Sequence, residues 1–330
     1  MNLILAHLLT WLLTTNDPSP SIHIAALVEA HAVAKELRVA NTNDPIYKEL
    51  RLIMIQDDRA NDEVNTWAKE AEAFAKQGAG TSQASLQLRA EQRFKEIEQL
   101  YKNYLEKHPK YGPGHLAYGS FLYDIHEEIP AVKAWEKARE LDPLNPASWN
   151  NLANHYGHRG PVTNSFLYYA KAIELNPTEV VYVHNLATCL YLFRKEAQAF
   201  YKITESEVFE KSLKLYRQAM EITPHDFVLA SDYAQSFYGI RPMRVIDALK
   251  AWNQALTLAK TALEREGIYL HLARIELNSG QFLEARSHLN LSTNAELNEL
   301  KQRLIRNLDR KEHPGSTPSN SQPKEKSDPE

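Results

Sequence analysis

The sequence is short of the residues that mark several classes of protein. It has one cysteine, Cys189, in 330 residues, which excludes an intrachain disulfide framework and a cysteine-cluster metal site. Its 11 glycines are about half the usual share, which disfavours turn-rich β folds. Lys and Arg number 38 against 42 Asp and Glu, so the basic excess typical of a nucleic-acid-binding surface is missing. We therefore predict no nucleic-acid partner.

Signatures of catalysis and metal binding are also scarce. No phosphate-binding glycine loop, HExxH or CxxC occurs. His155, His158 and His184 could supply three zinc ligands, but no carboxylate is spaced to complete the site, so we interpret them as helix-end histidines. Cys189 has no cationic or histidine neighbour at helical spacing that would lower its pKa, which favours a buried, inert thiol. The sequence predicts no catalytic residue, no metal site and no cofactor.

One apolar run stands at the N-terminus, in the segment 1–21. Residues 2–15 have the length of a signal-peptide core, and a bilayer-spanning helix needs about 20 residues. No Lys or Arg precedes the run, and Ser19-Pro20-Ser21 is a poor cleavage pattern. A cleaved signal, an uncleaved anchor and a cytosolic start that packs on the fold all remain open. We predict export to the periplasm or the medium, with membrane association only if the run is kept as an anchor.

The next part of the chain, up to about residue 108, has helical periodicity throughout. We predict N-terminal helices over 22–63, with Asp44-Pro45 opening one of them, and a degenerate helical repeat over 64–109. A helix from about Asp62 to Gln77 ends at the glycines that follow, and a long helix then runs to about Lys107. No strand alternation appears in this region.

From there the prolines are periodic. Pro109, Pro143 and Pro177 are 34 residues apart, and Pro224 follows after 47, which is the same period plus an insertion of 13. Other positions repeat with them. The small-residue column is Gly119, Ala153, Ala187, Ala234 and Ala273, and the large-residue column is Trp135, Tyr169, Tyr216, Trp252 and Leu289.

These columns predict two antiparallel helices in each unit. Small residues mark where two helix axes approach closely, and the large residue fills the space to the next pair. The proline ends the second helix, because it has no backbone N–H and restricts the residue before it. Stacked units bury a continuous core that one helix hairpin could not bury alone.

The pattern resembles the tetratricopeptide repeat family. The period, the Gly/Ala columns, Trp149 at the start of a first helix and the turn Gly280–Ala285 all match it. The resemblance covers 110–292 as about five repeats. It implies an all-α fold, a right-handed superhelical array of antiparallel helix pairs (an α-solenoid) with a C-terminal capping helix. The departures are the insertion and the missing proline after Ala255, which affect local geometry only.

Three segments lie outside the regular pattern. The insertion, about 192–206, carries Phe193, Phe200 and Tyr201, and either forms a lip over a groove or packs on its neighbour. Residues 293–310 have one leucine stripe, and Thr293 and Glu296 are spaced as a capping box at their start, which predicts the capping helix. Residues 311–330 contain no aliphatic or aromatic residue, so we predict a disordered tail.

The family resemblance implies a concave surface, lined by the first helices, that binds an extended peptide. Asn151 and Asn185 are one period apart, so we expect a ladder of amides suited to a peptide backbone. Tyrosines one or two turns along add apolar area and keep a hydroxyl for bonding. The predicted groove residues are Asn151, Asn185, Asn154, Tyr123, Tyr191, Tyr238 and Gln235.

The alternative for these asparagines is a merely solvated polar face. A carboxylate clamp of the kind found in chaperone-binding relatives is disfavoured, because Val228 and Asp232 stand where its cations should be. The sequence thus favours a non-catalytic scaffold that binds a protein or peptide partner. The alternative function is an extracytoplasmic enzyme, or an enzyme accessory, whose site forms from residues that converge only in three dimensions.

Overall fold

A computed structural model describes residues 44–76 and 83–313. Over these residues the regular structure consists of 14 α-helices and two 3-10 turns, without strands, as predicted. The described chain divides into two compact bodies, one ending at Pro224 and the other starting at His225. The apolar segment 2–15, the helix expected from residue 22 and the tail beyond residue 313 lie outside the described residues.

The described residues of the N-terminal body form nine helices. They are α1 (Pro45–Lys76), α2 (Gln83–Lys107), α3 (Gly112–Asp124), α4 (Glu128–Leu141), α5 (Pro146–Arg159), α6 (Val162–Leu175), α7 (Val180–Leu192), α8 (Arg194–Tyr201) and α9 (Glu205–Ile222). The helices pack in chain order, α2 on α3, α4 on α5 and α6 on α7. The stacked helix pairs make an all-α solenoid.

Helix α1 is a single 32-residue helix, where the sequence indicated two helices with a boundary near residue 63. It contains no glycine, and no proline beyond its first residue, so nothing interrupts its hydrogen bonds. The polar stretch in its middle is accommodated by a buried contact. Asp57 is fully buried and accepts a hydrogen bond of 3.0 Å from the hydroxyl of Tyr101 on α2.

The repeat columns have the roles that their periodicity predicts. Gly119 lies so close to α4 that a Cβ atom there would sit 2.5 Å from Trp135 Cδ1. Trp135 and the equivalent Tyr169 are fully buried. The periodic prolines each stand two residues beyond a helix end, as Pro143 does after Leu141. Small residues therefore set the close approach, large ones fill the core, and prolines end the second helices.

The insertion in the third repeat forms helix α8. The rings of Phe200 and Tyr201 lie 5.5 and 5.8 Å from that of Phe166 on α6, so α8 packs on its neighbour. Thr204 and Glu207 form a capping box that starts α9. Of the two interpretations of the insertion, the structure shows packing on the neighbouring helix.

The described residues of the C-terminal body form five helices and the two 3-10 turns. They are α10 (Phe227–Ser236), a 3-10 turn (Phe237–Gly239), α11 (Val245–Leu258), α12 (Ala262–Asn278), α13 (Phe282–Leu291), a 3-10 turn (Ala295–Leu297) and α14 (Asn298–Glu312). Helix α14 is the predicted capping helix. Leu300, Leu304 and Leu308 of α14 join Leu270 and Leu289 in one buried cluster.

Two details at the C-terminal end correct the sequence analysis. The expected capping box of Thr293 and Glu296 does not form. Thr293 donates its backbone N–H to Glu266 of α12, and Asn294 accepts from Glu296 N at 2.9 Å instead. The helix also extends to Glu312, two residues into the segment predicted to be disordered.

Candidate functional site

The first helices of three successive pairs, α3, α5 and α7, contact one another in order. We call the surface that they share the first-helix face. Two of these helices begin at side-chain caps, with Asn145 accepting from Ala147 N at 3.1 Å and Glu179 accepting from Val181 N at 3.3 Å. The caps and the neighbouring second helices fix the rotation of each first helix, and hence which side chains meet on this face.

Amide side chains form hydrogen bonds between these helices. Asn185 of α7 donates to Oδ1 of Asn150 at 3.0 Å and to Oδ1 of Asn154 at 3.3 Å, both on α5. Asn154 Oδ1 also accepts from the Tyr169 hydroxyl of α6 at 2.5 Å. Asn151, on the adjoining side of α5, donates to Ser120 Oγ of α3 at 3.2 Å. The four asparagines form the amide network of this face.

The geometry of this network differs from the expected ladder. Asn185 pairs with Asn150 and Asn154, which are one turn apart on α5, while Asn151 faces the opposite way, towards α3. Asn151, Asn154 and Asn185 are at most 2% exposed. These side chains therefore lie within the helix interfaces, on two sides of α5, and do not form one exposed row along a groove. Their role in peptide binding stays a prediction.

Several polar atoms of the network have no hydrogen-bond partner among the described residues. They include Nδ2 of Asn150, a donor, and Oδ1 of Asn151, an acceptor. Four further atoms on α5 and α6 also have no partner among the described residues. They are Ser165 Oγ, His155 Nδ1 and both ring nitrogens of His158. Native proteins contain only a few such atoms per 100 residues, so a cluster in one helix pair calls for a water or a ligand group.

The ionisable groups beside the network include two histidines and one ion pair. Burial lowers the pKa of both His155 and His158, so both imidazoles are uncharged near neutral pH. Arg159 donates to Glu128 at 2.8 Å, and this hydrogen bond lowers the pKa of the Glu128 carboxyl. The opposite charges of Arg159 and Glu128 compensate each other. The other groups named here are amides, hydroxyls and neutral imidazoles.

The predicted tyrosines of this body flank the network at different depths. Tyr123 is half-buried, with its ring 5.1 Å from Trp135, and burial raises the pKa of its hydroxyl. Tyr191 is more enclosed, with its ring 6.0 Å from Phe209 of α9. Tyr123 thus offers the larger accessible apolar area.

The two remaining predicted residues belong to the C-terminal body. Gln235 is half-buried near the end of α10. Tyr238 is buried in the following 3-10 turn, where its hydroxyl lies 3.1 Å from Nδ1 of His271. His271 is fully buried, stacked on Trp252 with ring centroids 3.9 Å apart, and burial holds its pKa well below the usual range. His271 Nε2 has no partner among the described residues.

The remaining candidate reactive or metal-binding residues are either buried or too far apart to bind a metal ion together. Cys189 is buried among Leu186 and Leu190, and burial raises the pKa of its thiol, which removes the thiolate that reactivity requires. His184 contacts Tyr216 of α9. Within 44–76 and 83–313, no three His, Cys, Asp or Glu residues lie close enough to hold a metal ion.

Two residues of the network, Asn150 and Ser120, were not among the predicted groove residues. Asn150 completes the amide network, and Ser120 supplies the link from α3 to α5. A signal for Asn150 was present, since it stands four residues before Asn154 and so shares its side of the helix. The choice between adjacent Asn150 and Asn151 depends on the exact rotation of α5, which the sequence pattern does not provide.

Comparison with known proteins gives limited sequence similarity. No protein-family model matches the chain. It is 26% identical over 194 residues to Superkiller protein 3 of Schizosaccharomyces pombe, covering 56% of this chain and 12% of that protein. It is 31% identical over 98 residues to the human protein O-mannosyl-transferase TMTC3, covering 29% of this chain and 11% of that protein. The chain thus spans about an eighth or less of the length of these relatives.

Structural similarity covers more of the chain than sequence similarity does. The C-terminal part of a TPR repeat-containing protein from Cytophaga hutchinsonii aligns with a TM-score of 0.50 at 12% identity, covering 76% of this chain and 98% of that one. No helix in the described part of the chain has the length and apolarity needed to cross a membrane. The repeat columns, the stacked helix pairs that they build and this structural likeness show a fold of the tetratricopeptide repeat type.

Proposed function

We propose that the protein is a non-catalytic scaffold and that the first-helix face of α3, α5 and α7 binds an extended segment of a protein partner. The observation that carries this proposal is the pair of unpaired amide atoms on α5. Asn150 Nδ2 and Asn151 Oδ1 belong to adjacent residues, and they are a donor and an acceptor. Asn150 faces α7 and Asn151 faces α3, so different backbone groups of one extended segment would supply the acceptor and the donor.

The rest of the network supports those two atoms. Asn154 and Asn185 bond to each other, and Asn185 also bonds to Asn150, so the amide of Asn150 is held in one orientation. A preorganised group loses little conformational entropy when a ligand binds. Asn151 is therefore proposed to contact the partner directly. Asn154 and Asn185 are proposed to contribute to binding by holding the amide of Asn150 in its orientation.

Aromatic groups complete the proposed surface. Half-buried Tyr123 supplies apolar area beside α5, and Tyr191 supplies less because it is more enclosed. Gln235 and Tyr238 are proposed to serve a similar surface on the C-terminal body. Because the imidazoles are neutral and Glu128 is paired with Arg159, the partner segment is expected to be uncharged. Binding should then depend only slightly on salt.

A displayed library of random peptides tests the proposal without knowledge of the natural partner. Peptides selected on the intact protein are titrated against the wild type and against the double variant Asn151→Ala/Asn185→Ala. The double variant removes the direct bond of Asn151 and the support that orients Asn150 for a second bond. We expect it to bind at least tenfold more weakly, because two hydrogen bonds of about 1 kcal/mol each exceed the 1.4 kcal/mol that corresponds to one decade.

Asn164→Ala provides the matched control. Asn164 is a half-buried asparagine on α6, a second helix, so its loss should leave the affinity unchanged. Thermal melting of each variant, with titrations run well below the lowest melting temperature, separates lost contacts from lost folding. Equal affinity of the double variant and the wild type would reject the first-helix face as the binding surface, and so would selected peptides that bind only at high net charge.

A further inference from the structure

Gly157 interrupts a column of tyrosines on the first helices. Tyr123 and Tyr191 stand one period before it and one period after it, on α3 and α7. Gly157 is buried, yet a Cβ atom added to it would meet only one atom of the described residues within 4 Å. At Gly119, by contrast, an added Cβ would lie 2.5 Å from Trp135 Cδ1. The described residues thus leave a space beside Gly157 where the flanking units carry a phenol ring, and we call this space the Gly157 gap.

The atom that faces the Gly157 gap is Ser165 Oγ of α6. It lies 3.5 Å from the position of the added Cβ. Ser165 is fully buried, and its hydroxyl has no hydrogen-bond partner among the described residues. The equivalent Ser212 of the next unit donates to Ala187 O of its own first helix at 2.8 Å. Ser165 instead presents to the gap a buried hydroxyl that can both donate and accept.

His158 borders the gap from α5. It is half-buried, and neither of its ring nitrogens has a partner among the described residues. Burial lowers the pKa of His158, so near neutral pH its ring is uncharged and carries one donor and one acceptor. The charges that act on His158, those of Arg159 and Glu128, are paired with each other. The polar groups at the gap therefore match a neutral ligand group that both donates and accepts.

Apolar side chains flank Ser165 along α6. Val162 and Tyr169 lie one turn before it and one turn after it, on the same side of the helix. In the two flanking units the column tyrosine packs its ring against the second helix of its own unit, 5.1 Å from Trp135 in one and 6.0 Å from Phe209 in the other. The chain itself thus shows that an aromatic ring fits at this place in a helix pair.

We propose that the Gly157 gap receives a tyrosine side chain of the partner segment. The inference rests on the proposed function, because that segment binds the same first-helix face. The ring takes the place that Tyr123 and Tyr191 fill in their own units, and its hydroxyl exchanges hydrogen bonds with Ser165 Oγ and a ring nitrogen of His158. A phenylalanine ring leaves these buried polar atoms unpaired, which disfavours it.

The compound p-cresol, which is the side chain of tyrosine, tests the gap without a peptide. Titrated onto the intact protein and followed by ligand-detected NMR, it is expected to bind with a dissociation constant of about 1 mM, since so small a ligand makes few contacts. Toluene has the same ring and methyl group but no hydroxyl. It is expected to bind about tenfold more weakly, because it leaves the buried hydroxyl of Ser165 unpaired.

Two variants change the gap itself. Gly157→Tyr fills it from within and should abolish p-cresol binding, and it is expected to fold because the two flanking units carry tyrosine at the equivalent position. Ser165→Ala should reduce the preference for p-cresol over toluene. Alanine fits there, since Ala131 and Ala248 are buried at the equivalent position of other units. Leu167→Tyr is the matched control, because Leu167 is 53% exposed on α6 and a ring there stays in solvent.

The peptides selected from the displayed library connect the gap with the bound segment. We expect tyrosine to recur in them, and its replacement by alanine should weaken binding to the wild type at least tenfold. Gly157→Tyr should bind the selected peptides at least tenfold more weakly than the wild type does, whereas Leu167→Tyr should bind them equally well. Thermal melting checks the folding of each variant. If Gly157→Tyr does not fold, Ser165→Ala decides, and an unchanged preference for p-cresol over toluene then rejects the proposal.

Three further results overturn the proposal. Absence of p-cresol binding up to about 10 mM would show that the gap holds water alone. Equal binding of p-cresol to Gly157→Tyr and the wild type would place its site elsewhere. Wild-type affinity of Gly157→Tyr for the selected peptides, with weakened binding by Asn151→Ala/Asn185→Ala, would leave the proposed function standing without the gap. Failure of the proposed function itself shows as wild-type affinity of that asparagine variant, and the gap then loses its partner segment even if p-cresol binds.

Discussion

Replacement of Asn154 by alanine removes one oxygen that serves two buried donors. The Tyr169 hydroxyl, 2.5 Å away, loses its acceptor, and the Asn185 amide, 3.3 Å away, keeps only its bond to Asn150. An unpaired buried hydroxyl costs about 1–3 kcal/mol, and a lost net hydrogen bond about 1 kcal/mol. We therefore expect the free energy of unfolding to fall by about 2–4 kcal/mol.

Urea unfolding followed by far-ultraviolet circular dichroism measures this loss as a lower midpoint at an unchanged slope. Tyr169→Phe completes a double-mutant cycle with Asn154→Ala. Because the double variant leaves no unpaired hydroxyl, it should lose less stability than the two single losses added together, with a coupling of about 0.5–3 kcal/mol. Asn164→Ala, on the second helix, should change stability by no more than about 0.5 kcal/mol.

The reasoning fails if Asn154→Ala costs less than about 0.5 kcal/mol, since that value is typical of a solvated surface residue. It also fails if the cycle is additive, because two side chains in direct contact within one network should couple. Either result would restore the picture of an asparagine that projects freely from the helix.

Three further predictions concern other parts of the chain. Gly119→Ala should lower the free energy of unfolding by about 1–2 kcal/mol in a urea titration, because its Cβ would overlap the Trp135 ring at 2.5 Å, and a stabilising effect would contradict this packing. Because burial depresses the pKa of His271, only the unfolded state gains its proton as the pH falls below about 6.5, so stability should be full above that pH and decline below it. His271→Phe, which keeps a ring on Trp252, should flatten that decline, and an unchanged pH profile would refute the assignment. N-terminal sequencing of the protein from its own host should show that residues 2–15 have been removed, and an intact Met1 in the cytosolic fraction would reject export.

The architecture could be predicted from the sequence because it depends on residue types that recur at fixed positions and act nearly independently of one another. The fold needs a small residue at Gly119, a large one at Trp135 and a helix terminator at Pro143, and each of these is a property of one side chain. The same residue types recur with a fixed period, so agreement between units supports the role assigned to each position. Where the period fails, as in α1, the prediction failed too, because the buried contact between Asp57 and Tyr101 joins residues 44 positions apart.

The candidate site was predicted less well, for a geometric reason. Periodicity located the polar positions on the first helices, but it did not show whether Asn150 or Asn151 meets Asn185. That outcome depends on the rotation of α5 relative to α7, and an error of one residue turns a side chain by about 100°. Burial was also missed, because asparagines are usually exposed, and an enclosed amide is recognised only when its partners on neighbouring helices are known.

The amide network has a consequence for how the repeats assemble. The apolar interfaces of successive units are alike, since leucine and alanine recur at the same places, and such surfaces tolerate a shift by one helical turn or contact with the wrong unit. An amide bonded to two specific amides does not tolerate it, because a shifted helix would leave the Asn185 amide buried without either of its acceptors. The asparagines thus specify the register in which α7 packs against α5. A hybrid array in which these two units are exchanged for others that lack the asparagines is expected to fold with helices but without a single order of stacking.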